Sequence, residues 1–320
     1  MKEVIFEQVG KPLEVLKLVE SPDPTPKSNE VLIRVTARNI NPSDIMFIQG
    51  LYGIQPQLPS SAGFEACGVT ESSGDKFPKG TRVIFSTTGT WRELISLPES
   101  TLIPIPEGMP DEVACQAVVN PMTAYLMIEK SGLKRGEWLL ITAGASAFGK
   151  FAIQMAKERG IKVACTVRHD SQKEFLEKLG ADLVINSEKE KLQKIIPSKT
   201  DGGVHVVFDA VGGILGAKAL ASLRKDGLMM IFGSLSLDNI PLNSGLMIFK
   251  SLRVNGFWLT SLMQEMGQNE RKDAFKKVFQ FLTDKTSQID VAEKFPLKEF
   301  AEAIKAYEKA GRNGKILLIS

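Results

Sequence analysis

The pattern of apolar and polar positions changes near residue 120 and divides the chain into two parts. Up to about residue 115, apolar and polar residues alternate over short stretches such as 31–36 and 81–85, which predicts short strands. Turn signals, among them the proline-rich segment 21–26, separate these stretches. Short strands at such close spacing are typical of a compact, partly open β-barrel.

From about Pro121, helical periods alternate with apolar runs, which is the pattern of β-α-β units around a parallel sheet. A helix is predicted to open at Ser171, which has the spacing of a capping box with Glu174. The predicted strands of this part are 138–142, 162–168, 182–186, 204–210 and 228–233.

The last part of the chain returns to the first. Amphipathic helices are predicted at 270–282 and 297–310, with a β-like segment at 289–295 and a final strand at 314–319. Because this strand follows another β-like segment, we expect the carboxyl end to fold back onto the first part.

The stretch 138–150 carries the first chemical signal. An apolar strand ends in a turn of small residues and an amphipathic helix follows, the arrangement in which a doubly wound sheet binds a pyrophosphate. Serine stands where the glycine fingerprint has its second glycine, so an ordinary strand–helix corner is an alternative. The residues predicted to bind cofactor here are Gly144, Ala145, Ser146, Ala147 and Phe148.

Arg168 ends the next predicted strand, where a dinucleotide fold reads the ribose. An enzyme that uses NAD usually has a carboxylate there, whereas arginine can pair with a 2′-phosphate in a bidentate manner. The sequence therefore predicts NADPH, with a solvated arginine as the alternative. Small residues also end the strands near Gly212 and Gly233, where they could line the nicotinamide ribose or simply form turns.

Composition and charge exclude several kinds of binding partner and structural site. Apolar residues make up 43% and charged residues 24% of 320, and the net charge of +3 comes without a dense basic run, so nucleic acid is not expected. No apolar run approaches the length of a membrane span. Cys67, Cys115 and Cys165 lack the spacing of a zinc knuckle or a disulfide framework. The amino terminus reads as a strand and not as a signal peptide, so we expect a cytoplasmic protein.

Several motifs together resemble the medium-chain dehydrogenase/reductase superfamily. The resemblance spans almost the whole chain and implies an α/β protein with a GroES-like, β-rich catalytic domain at 1–117 and 260–320. A doubly wound Rossmann domain at 118–259 would lie between these segments. The motifs are Asn41-Pro42-Ser43-Asp44, 49–53, 63–69, 209–213 and 314–316.

Phe64 indicates which branch of this superfamily the chain resembles. Zinc alcohol dehydrogenases have a metal-binding histidine in a Gly-His-Glu segment, and this chain has Phe64 between Gly63 and Glu65. The only histidines are His169 and His205, so the ligands of a zinc site are lacking and no metal is expected.

Within the metal-free branch, the chain looks most like the mitochondrial-type reductases of 2-enoyl thioesters. The shared features are the 41–45 and 49–53 motifs, the segment 119–125, Ser146 in the cofactor turn, Arg168 and the segment 256–259. Gly149 is a departure, since these enzymes often have serine there, and it keeps NADPH quinone oxidoreductase, or another enone reductase, as the alternative. A catalytically silent NADPH-binding protein is the alternative outside the enzymes.

The resemblance also implies roles for individual residues. Tyr52 would be the acid and oxyanion donor, because a phenol is protonated at neutral pH and can donate to a developing enolate. Trp258 would shape the pocket near the nicotinamide. Asn41, Asn120 and Thr123 could hydrogen-bond the cofactor or the reacting carbonyl. Further cofactor contacts are predicted for Phe232, Gly233, Phe257 and Lys315, and for Lys315 a solvated strand lysine is the alternative.

The partners implied are small-molecule acyl thioesters linked to coenzyme A or acyl-carrier protein. The family also implies a homodimer formed by edge strands of the Rossmann sheets, for which residues 251–257 are the candidate edge.

Overall fold

The computed structural model describes residues 1–285, 289–309 and 311–320. The chain divides into two compact units, and each is described by itself. Residues 1–119 and 277–320 form the first unit, and residues 120–276 form the second. None of the helices in the described part of the chain combines the length and the apolar character that crossing a membrane requires.

The elements follow in chain order. The strands are β1 (Lys2–Phe6), β2 (Leu16–Glu20), β3 (Glu30–Asn39), β4 (Ser60–Ser61), β5 (Glu65–Thr70), β6 (Arg82–Ser86), β7 (Leu94–Pro98), β8 (Ile103–Pro104), β9 (Trp138–Ile141), β10 (Lys162–Val167), β11 (Leu183–Asn186), β12 (Val204–Asp209), β13 (Leu223–Ile231), β14 (Arg253–Gly256), β15 (Val291–Pro296) and β16 (Lys315–Ile319). The helices are α1 (Pro12–Val15), α2 (Pro42–Ile48), α3 (Asp111–Ala114), α4 (Val119–Ser131), α5 (Ala147–Glu158), α6 (Lys173–Leu179), α7 (Leu192–Lys199), α8 (Gly213–Ala221), α9 (Ser244–Phe249), α10 (Leu259–Glu265), α11 (Gln268–Asp284) and α12 (Phe300–Glu308).

The first unit is built mainly from two sheets. One has the order β2-β1-β4, and the other has the order β15-β16-β3-β5-β6-β8 with β7 paired to β3. The expected return of the carboxyl end is confirmed, because β16 runs antiparallel to β3 with Leu317 opposite Asn39. Phe6, Phe47 and Trp91 are buried in the core cluster that the last strand and α12 complete.

The second unit contains a six-stranded parallel sheet with the order β11-β10-β9-β12-β13-β14. This is the order 3-2-1-4-5-6 of a doubly wound dinucleotide fold, in which the strand order reverses beside the first strand. The five predicted strands are present. The sheet therefore has its switch point between β9 and β12, directly at the turn that the sequence singled out.

Three local predictions need correction or comment. β13 begins at Leu223, five residues before the predicted start at 228, because exposed polar residues from Arg224 to Asp226 hide the beginning of the strand. The predicted capping box at Ser171 is wrong, since a 3-10 turn covers this serine and α6 starts at Lys173 without a side-chain cap. The predicted end of the last helix, Ala310, lies outside the described residues.

Candidate functional site

The turn after β9 lies where the strand order of the second unit reverses. Ser146 is the N-cap of α5, and its Oγ accepts the N–H of Gly149 at 3.0 Å. The serine that departs from the glycine fingerprint therefore satisfies one of the free N–H groups at the start of the helix.

Gly144 and Gly149 are packed so closely that neither position has room for a side chain. A Cβ atom on Gly149 would lie 2.3 Å from the carbonyl oxygen of Gly144, and one on Gly144 would lie 2.6 Å from Cβ of Cys165. Ala143 in the same turn has φ 52°, which is rare for a residue with a side chain. A serine at position 149 would therefore require this turn to rearrange.

The start of α5 has the properties of an anion-binding site. No protein acceptor binds the N–H groups of Ala147 and Phe148 within the described residues. The first N–H groups of a helix point along its axis, and the helix dipole adds positive potential there. These groups fit the pyrophosphate of a dinucleotide, as helix amino termini after a parallel strand do in many folds.

Arg168 follows β10 directly and is exposed, and no acidic side chain in the described ranges pairs with it. The nearby carboxylate of Asp170 is held by the protein instead, since it accepts from Lys189 Nζ at 2.6 Å and from Asn186 Nδ2 at 2.8 Å. The Lys189 and Asn186 contacts lower the pKa of Asp170 to about 2. An exposed guanidinium at this strand end fits a 2′-phosphate.

Three aromatic rings pack together beside the cofactor turn. The rings of Phe148 and Phe232 have centroids 4.0 Å apart at an interplanar angle of 37°, and Phe208 meets Phe148 edge-on at 6.4 Å. Gly233 follows Phe232, and a Cβ there would lie 2.9 Å from the carbonyl oxygen of Ala210. The structure therefore brings the predicted residues Phe148, Phe232 and Gly233 to the same edge of the sheet as the turn.

The remaining predicted residues of the second unit lie on β14 and α4. Phe257 follows β14 and donates its N–H to Ile231 at 2.8 Å, which extends the pairing with β13 by one residue. Trp258 is next, with 41% of its surface exposed. Asn120 and Thr123 lie in the first turns of α4, where Thr123 is buried and Asn120 half-buried.

Asp209 and Thr142 hold the carboxyl end of β12 and the turn after it, and the sequence marked this segment as a small-residue turn and a family motif without a role for the carboxylate. Thr142 Oγ1 donates to Asp209 Oδ1 at 2.7 Å and accepts the N–H of Ala210 at 2.9 Å. The carboxylate of Asp209 also accepts the N–H groups of Val211 and Gly212. A fully buried aspartate after an apolar strand is the signal that could have identified this contact, because a buried carboxylate needs several donors.

Tyr52 lies in the first unit, in the loop that follows α2. Its half-buried ring packs against Phe64 at a centroid distance of 5.0 Å, and Phe64 packs against Phe47 at 5.1 Å. Gln55 Nε2 donates to the carbonyl oxygen of Tyr52 at 3.3 Å. The phenylalanine that replaces a zinc-binding histidine in the motif is therefore the packing partner of the predicted catalytic tyrosine.

Asn41 and Lys315 meet in a buried polar cluster of the first unit. Lys315 Nζ donates to Asn41 Oδ1, and it also donates to the carbonyl oxygen of Ile40 at 3.3 Å. Only 4% of Lys315 is exposed, so the alternative of an ordinary solvated strand lysine is excluded. Leu317 and Leu318 show the reason, because β16 lies inside its sheet between β15 and β3 and both leucines are buried with it.

The charges in this cluster are strongly perturbed. Burial lowers the pKa of Lys315, and the carboxylates of Glu65 and Asp44 oppose that effect. Burial raises the pKa of Asp44, against the hydrogen bond that its carboxylate accepts from the N–H of Asn41. Buried charges with shifted pKa values are common at functional sites, although structural networks show them as well.

The predicted site residues thus form groups within each unit. Tyr52, Asn41 and Lys315 belong to the first unit. The second unit contains Asn120, Thr123, Gly144, Ala145, Ser146, Ala147, Phe148, Arg168, Phe232, Gly233, Phe257 and Trp258. In the described part of the chain, no three His, Cys, Asp or Glu side chains lie close enough together to hold a metal ion.

Comparison with known proteins gives the family. Residues 27–107 match the alcohol dehydrogenase GroES-like domain, and residues 147–283 match the zinc-binding dehydrogenase family. The mitochondrial enoyl-[acyl-carrier-protein] reductase of Arabidopsis thaliana is 31% identical over 98% of this chain and 87% of its own length. The chain belongs to the medium-chain dehydrogenase/reductase superfamily. An enzyme with the same name from Schizosaccharomyces pombe is 32% identical over 94% of this chain and 88% of its own length.

Solved structures of this superfamily agree with the fold. The Escherichia coli quinone oxidoreductase, crystallised in complex with NADPH, superposes with a TM-score of 0.92 at 30% identity and covers 100% of both chains. The predicted combination of a GroES-like domain and a Rossmann domain is confirmed. Relatives of both predicted subfamilies, enoyl reductases and quinone oxidoreductases, are therefore similar to this chain over nearly its full length.

Proposed function

We propose that this protein uses NADPH to reduce the carbon–carbon double bond of 2-enoyl thioesters. The observation that carries the proposal is the near full-length similarity to two mitochondrial enoyl-[acyl-carrier-protein] reductases, at 31% and 32% identity. The motifs around Tyr52 and Trp258, which suggested this subfamily, favour the same choice. The N-cap role of Ser146 supports it as well, since it gives a local reason for serine in the turn.

NADPH is the proposed cofactor on three grounds. The start of α5 offers N–H groups to a pyrophosphate. Arg168 offers a guanidinium to the 2′-phosphate, while the competing carboxylate of Asp170 is held by Lys189 and Asn186. The similar Escherichia coli enzyme was crystallised with NADPH.

The reaction needs acid chemistry that Tyr52 can provide. When bound, the reduced nicotinamide supplies a hydride to the β carbon, and negative charge develops on the thioester oxygen. The Tyr52 hydroxyl donates a hydrogen bond to that oxygen. Transfer of its proton to the α carbon completes the reduction, and the phenolate that is left regains a proton from water. Phe64 holds the Tyr52 ring by packing. In the second unit, the exposed ring of Trp258 offers an apolar surface that suits an acyl chain.

A substrate panel tests the function. Purified protein should oxidise NADPH with crotonyl- or hexenoyl-coenzyme A much faster than with benzoquinone, followed by the absorbance of NADPH. Acyl-carrier-protein thioesters of the same acids separate the two carriers. Turnover with benzoquinone alone would support the quinone reductase instead, and tight NADPH binding without turnover would support the silent binding protein.

Quinone reduction is the second candidate, because one structural feature favours it. Gly149 occupies a position where enoyl reductases often have serine, and the packing against Gly144 leaves no space for that serine here. The Escherichia coli quinone oxidoreductase is 30% identical and superposes over the whole chain. Hydride transfer to a quinone needs little acid catalysis, so Tyr52 would matter less in that reaction.

We also propose a homodimer formed through the β14 edge of the second unit. Among the described strands, β14 pairs only with β13, so its other side presents backbone groups to a second strand. Beside it in sequence, α9 exposes Ile248 by 68% and Phe249 by 83%, which is a large apolar surface for a helix in water.

The dimer is tested by the solution mass. The wild type should run at twice the 35.1 kDa chain mass in light scattering, and Phe249→Glu should shift it toward one chain mass because the interface would bury an unpaired charge. The control is Phe175→Glu, a change at an exposed phenylalanine on α6. A monomeric wild type, or a dimer unaffected by Phe249→Glu, would contradict the interface.

A further inference from the structure

A buried polar hub lies inside the first unit, where a protein of this size ordinarily places apolar side chains. It consists of Asn39, Asn41, Asp44, Glu65 and Lys315, each of which is at most 4% exposed. Removing charges from water costs several kcal/mol each, and apolar replacements of similar volume are often neutral or stabilising. Stability alone therefore does not explain this hub. The alternative explanation is that its hydrogen bonds hold the neighbouring segments in a fixed orientation.

The carboxylate of Glu65 is the acceptor at the centre of the hub. Its Oε1 accepts from Asn39 Nδ2 at 2.7 Å and from Asn41 Nδ2 at 2.8 Å. Its Oε2 accepts the backbone N–H of Val119 at 2.8 Å. Val119 is the first residue of α4, so Glu65 places a negative charge at the amino terminus of that helix, where the helix dipole favours it.

The amide of Asn41 is the bridge between Glu65 and Lys315. Its Nδ2 donates to Glu65 and also to Asn39 Oδ1 at 2.9 Å, which uses both amide hydrogens. Its Oδ1 accepts from the ammonium of Lys315. Because the protein itself engages both ends of this amide, Asn41 is suited to hold its surroundings in place.

Two segments with predicted site residues start from the hub. Asn41 and Asp44 form the capping box that begins α2, the helix that leads into the loop of Tyr52. Phe64, against which the Tyr52 ring packs, directly precedes Glu65 in the chain. Glu65 in turn holds the start of α4, and Asn120 follows Val119 in that helix.

We infer that Glu65, Asn41 and Lys315 are positioning residues for the reduction, acting through the Tyr52 loop and the start of α4. The inference rests on the proposed reaction, because it assigns these residues to the placement of its acid. A misplacement of about 1 Å in a reacting group can lower a rate by roughly a hundredfold, so loss of this hub should appear in kcat.

The directions of the hydrogen bonds provide a sharp test, because an amide and a carboxylate have nearly the same shape. In Glu65→Gln, an N–H group of the new glutamine faces the N–H groups of Asn39 and Asn41, so donors meet donors. In Asn41→Asp, the new carboxylate faces the carboxylate of Glu65, so acceptors meet acceptors. In the double variant, the glutamine introduced at position 65 can donate to the aspartate introduced at position 41. Asn39 can flip its amide to match, and Lys315 gains an anionic partner. The exchange therefore restores the hub with its bonds reversed.

Each single variant should lower kcat at saturating NADPH about tenfold or more, and the Kd for NADPH from fluorescence titration shows how much of any loss comes from weaker cofactor binding. The double variant should recover kcat to within about threefold of the wild type. Glu99→Gln is the control, since this carboxylate also accepts backbone N–H groups, from Lys76 and Phe77, but in a turn outside the hub. Circular dichroism melting verifies that every variant is folded at the assay temperature.

The possible results distinguish a failure of the positioning role from a failure of the proposed reaction. Folded single variants with wild-type kcat, or a double variant without recovery, would overturn the positioning role. If the wild type reduces benzoquinone and no enoyl thioester, the proposed function fails and the positioning role falls with it. If the wild type reduces the enoyl thioester and its folded single variants keep their kcat, the positioning role alone is overturned. A wild type that turns over neither acceptor would overturn both.

Discussion

Replacing Tyr52 by phenylalanine should lower kcat for a 2-enoyl thioester by about a hundredfold, within the range of general acid contributions. The change removes only the hydroxyl, which we propose donates to the thioester oxygen and supplies the proton. The ring can keep its contact with Phe64, which has a centroid distance of 5.0 Å, so folding should be preserved. Steady-state rates with hexenoyl-coenzyme A, together with the NADPH Kd, measure the effect.

The NADPH Kd should stay within about threefold in this variant, because the proposed phosphate contacts involve the start of α5 and Arg168 and not the Tyr52 hydroxyl. Tyr125→Phe is the matched control, a buried tyrosine on α4 whose ring faces Arg159 at 5.3 Å. It should leave kcat near the wild-type value. Full activity of Tyr52→Phe with the enoyl thioester would remove Tyr52 from the chemistry.

Arg168→Asp should raise the Kd of NADPH roughly a hundredfold and change the Kd of NADH by no more than about threefold. Hydrogen bonds to a charged group contribute about 1.5–3 kcal/mol, which corresponds to roughly ten- to a hundredfold in Kd. The aspartate adds repulsion of the 2′-phosphate, and it offers a carboxylate to the ribose hydroxyls of NADH. Fluorescence titration with both cofactors measures the ratio.

Arg168→Ala removes the guanidinium without adding a repulsive charge. Its Kd for NADPH should therefore lie between those of the wild type and Arg168→Asp. Lys178→Ala is the control for a general change of surface charge, since Lys178 pairs with Glu174 on the exposed face of α6. The difference in NADPH Kd between the wild type and the Arg168 variants should decrease as the salt concentration rises, because salt screens an exposed ion pair. Equal weakening of NADPH and NADH would exclude the 2′-phosphate role.

The sequence predicted the second unit well because its signals are local. Apolar strands and helical periods alternate there, and the five predicted strands lie in one parallel sheet. The turn from Gly144 to Gly149 was recognised by spacing alone, although the N-cap role of Ser146 needed the structure. The errors were local as well, as at Ser171, where a 3-10 turn displaces the predicted start of the helix.

In the first unit, the sequence pattern does not predict which polar side chains are buried or which groups they bind. In the sequence, Lys315 reads as either a cofactor contact or a solvated strand lysine, and Glu65 reads as a motif residue without an assigned role. Lys315 becomes buried because β16 pairs on both sides, and Glu65 becomes an acceptor because β5, β3 and the start of α4 meet at its carboxylate.

The sequence by itself determined the two kinds of architecture, the cofactor turn, the candidate reader of the 2′-phosphate in Arg168, and the motif around Tyr52. These follow from residues near one another in the chain, where periodicity and turn chemistry act. Only the tertiary structure decided that Asn41, Glu65 and Lys315 meet in one buried hub, because residues 274 positions apart are joined there by a single hydrogen bond. Such a contact depends on strand pairing across the whole unit.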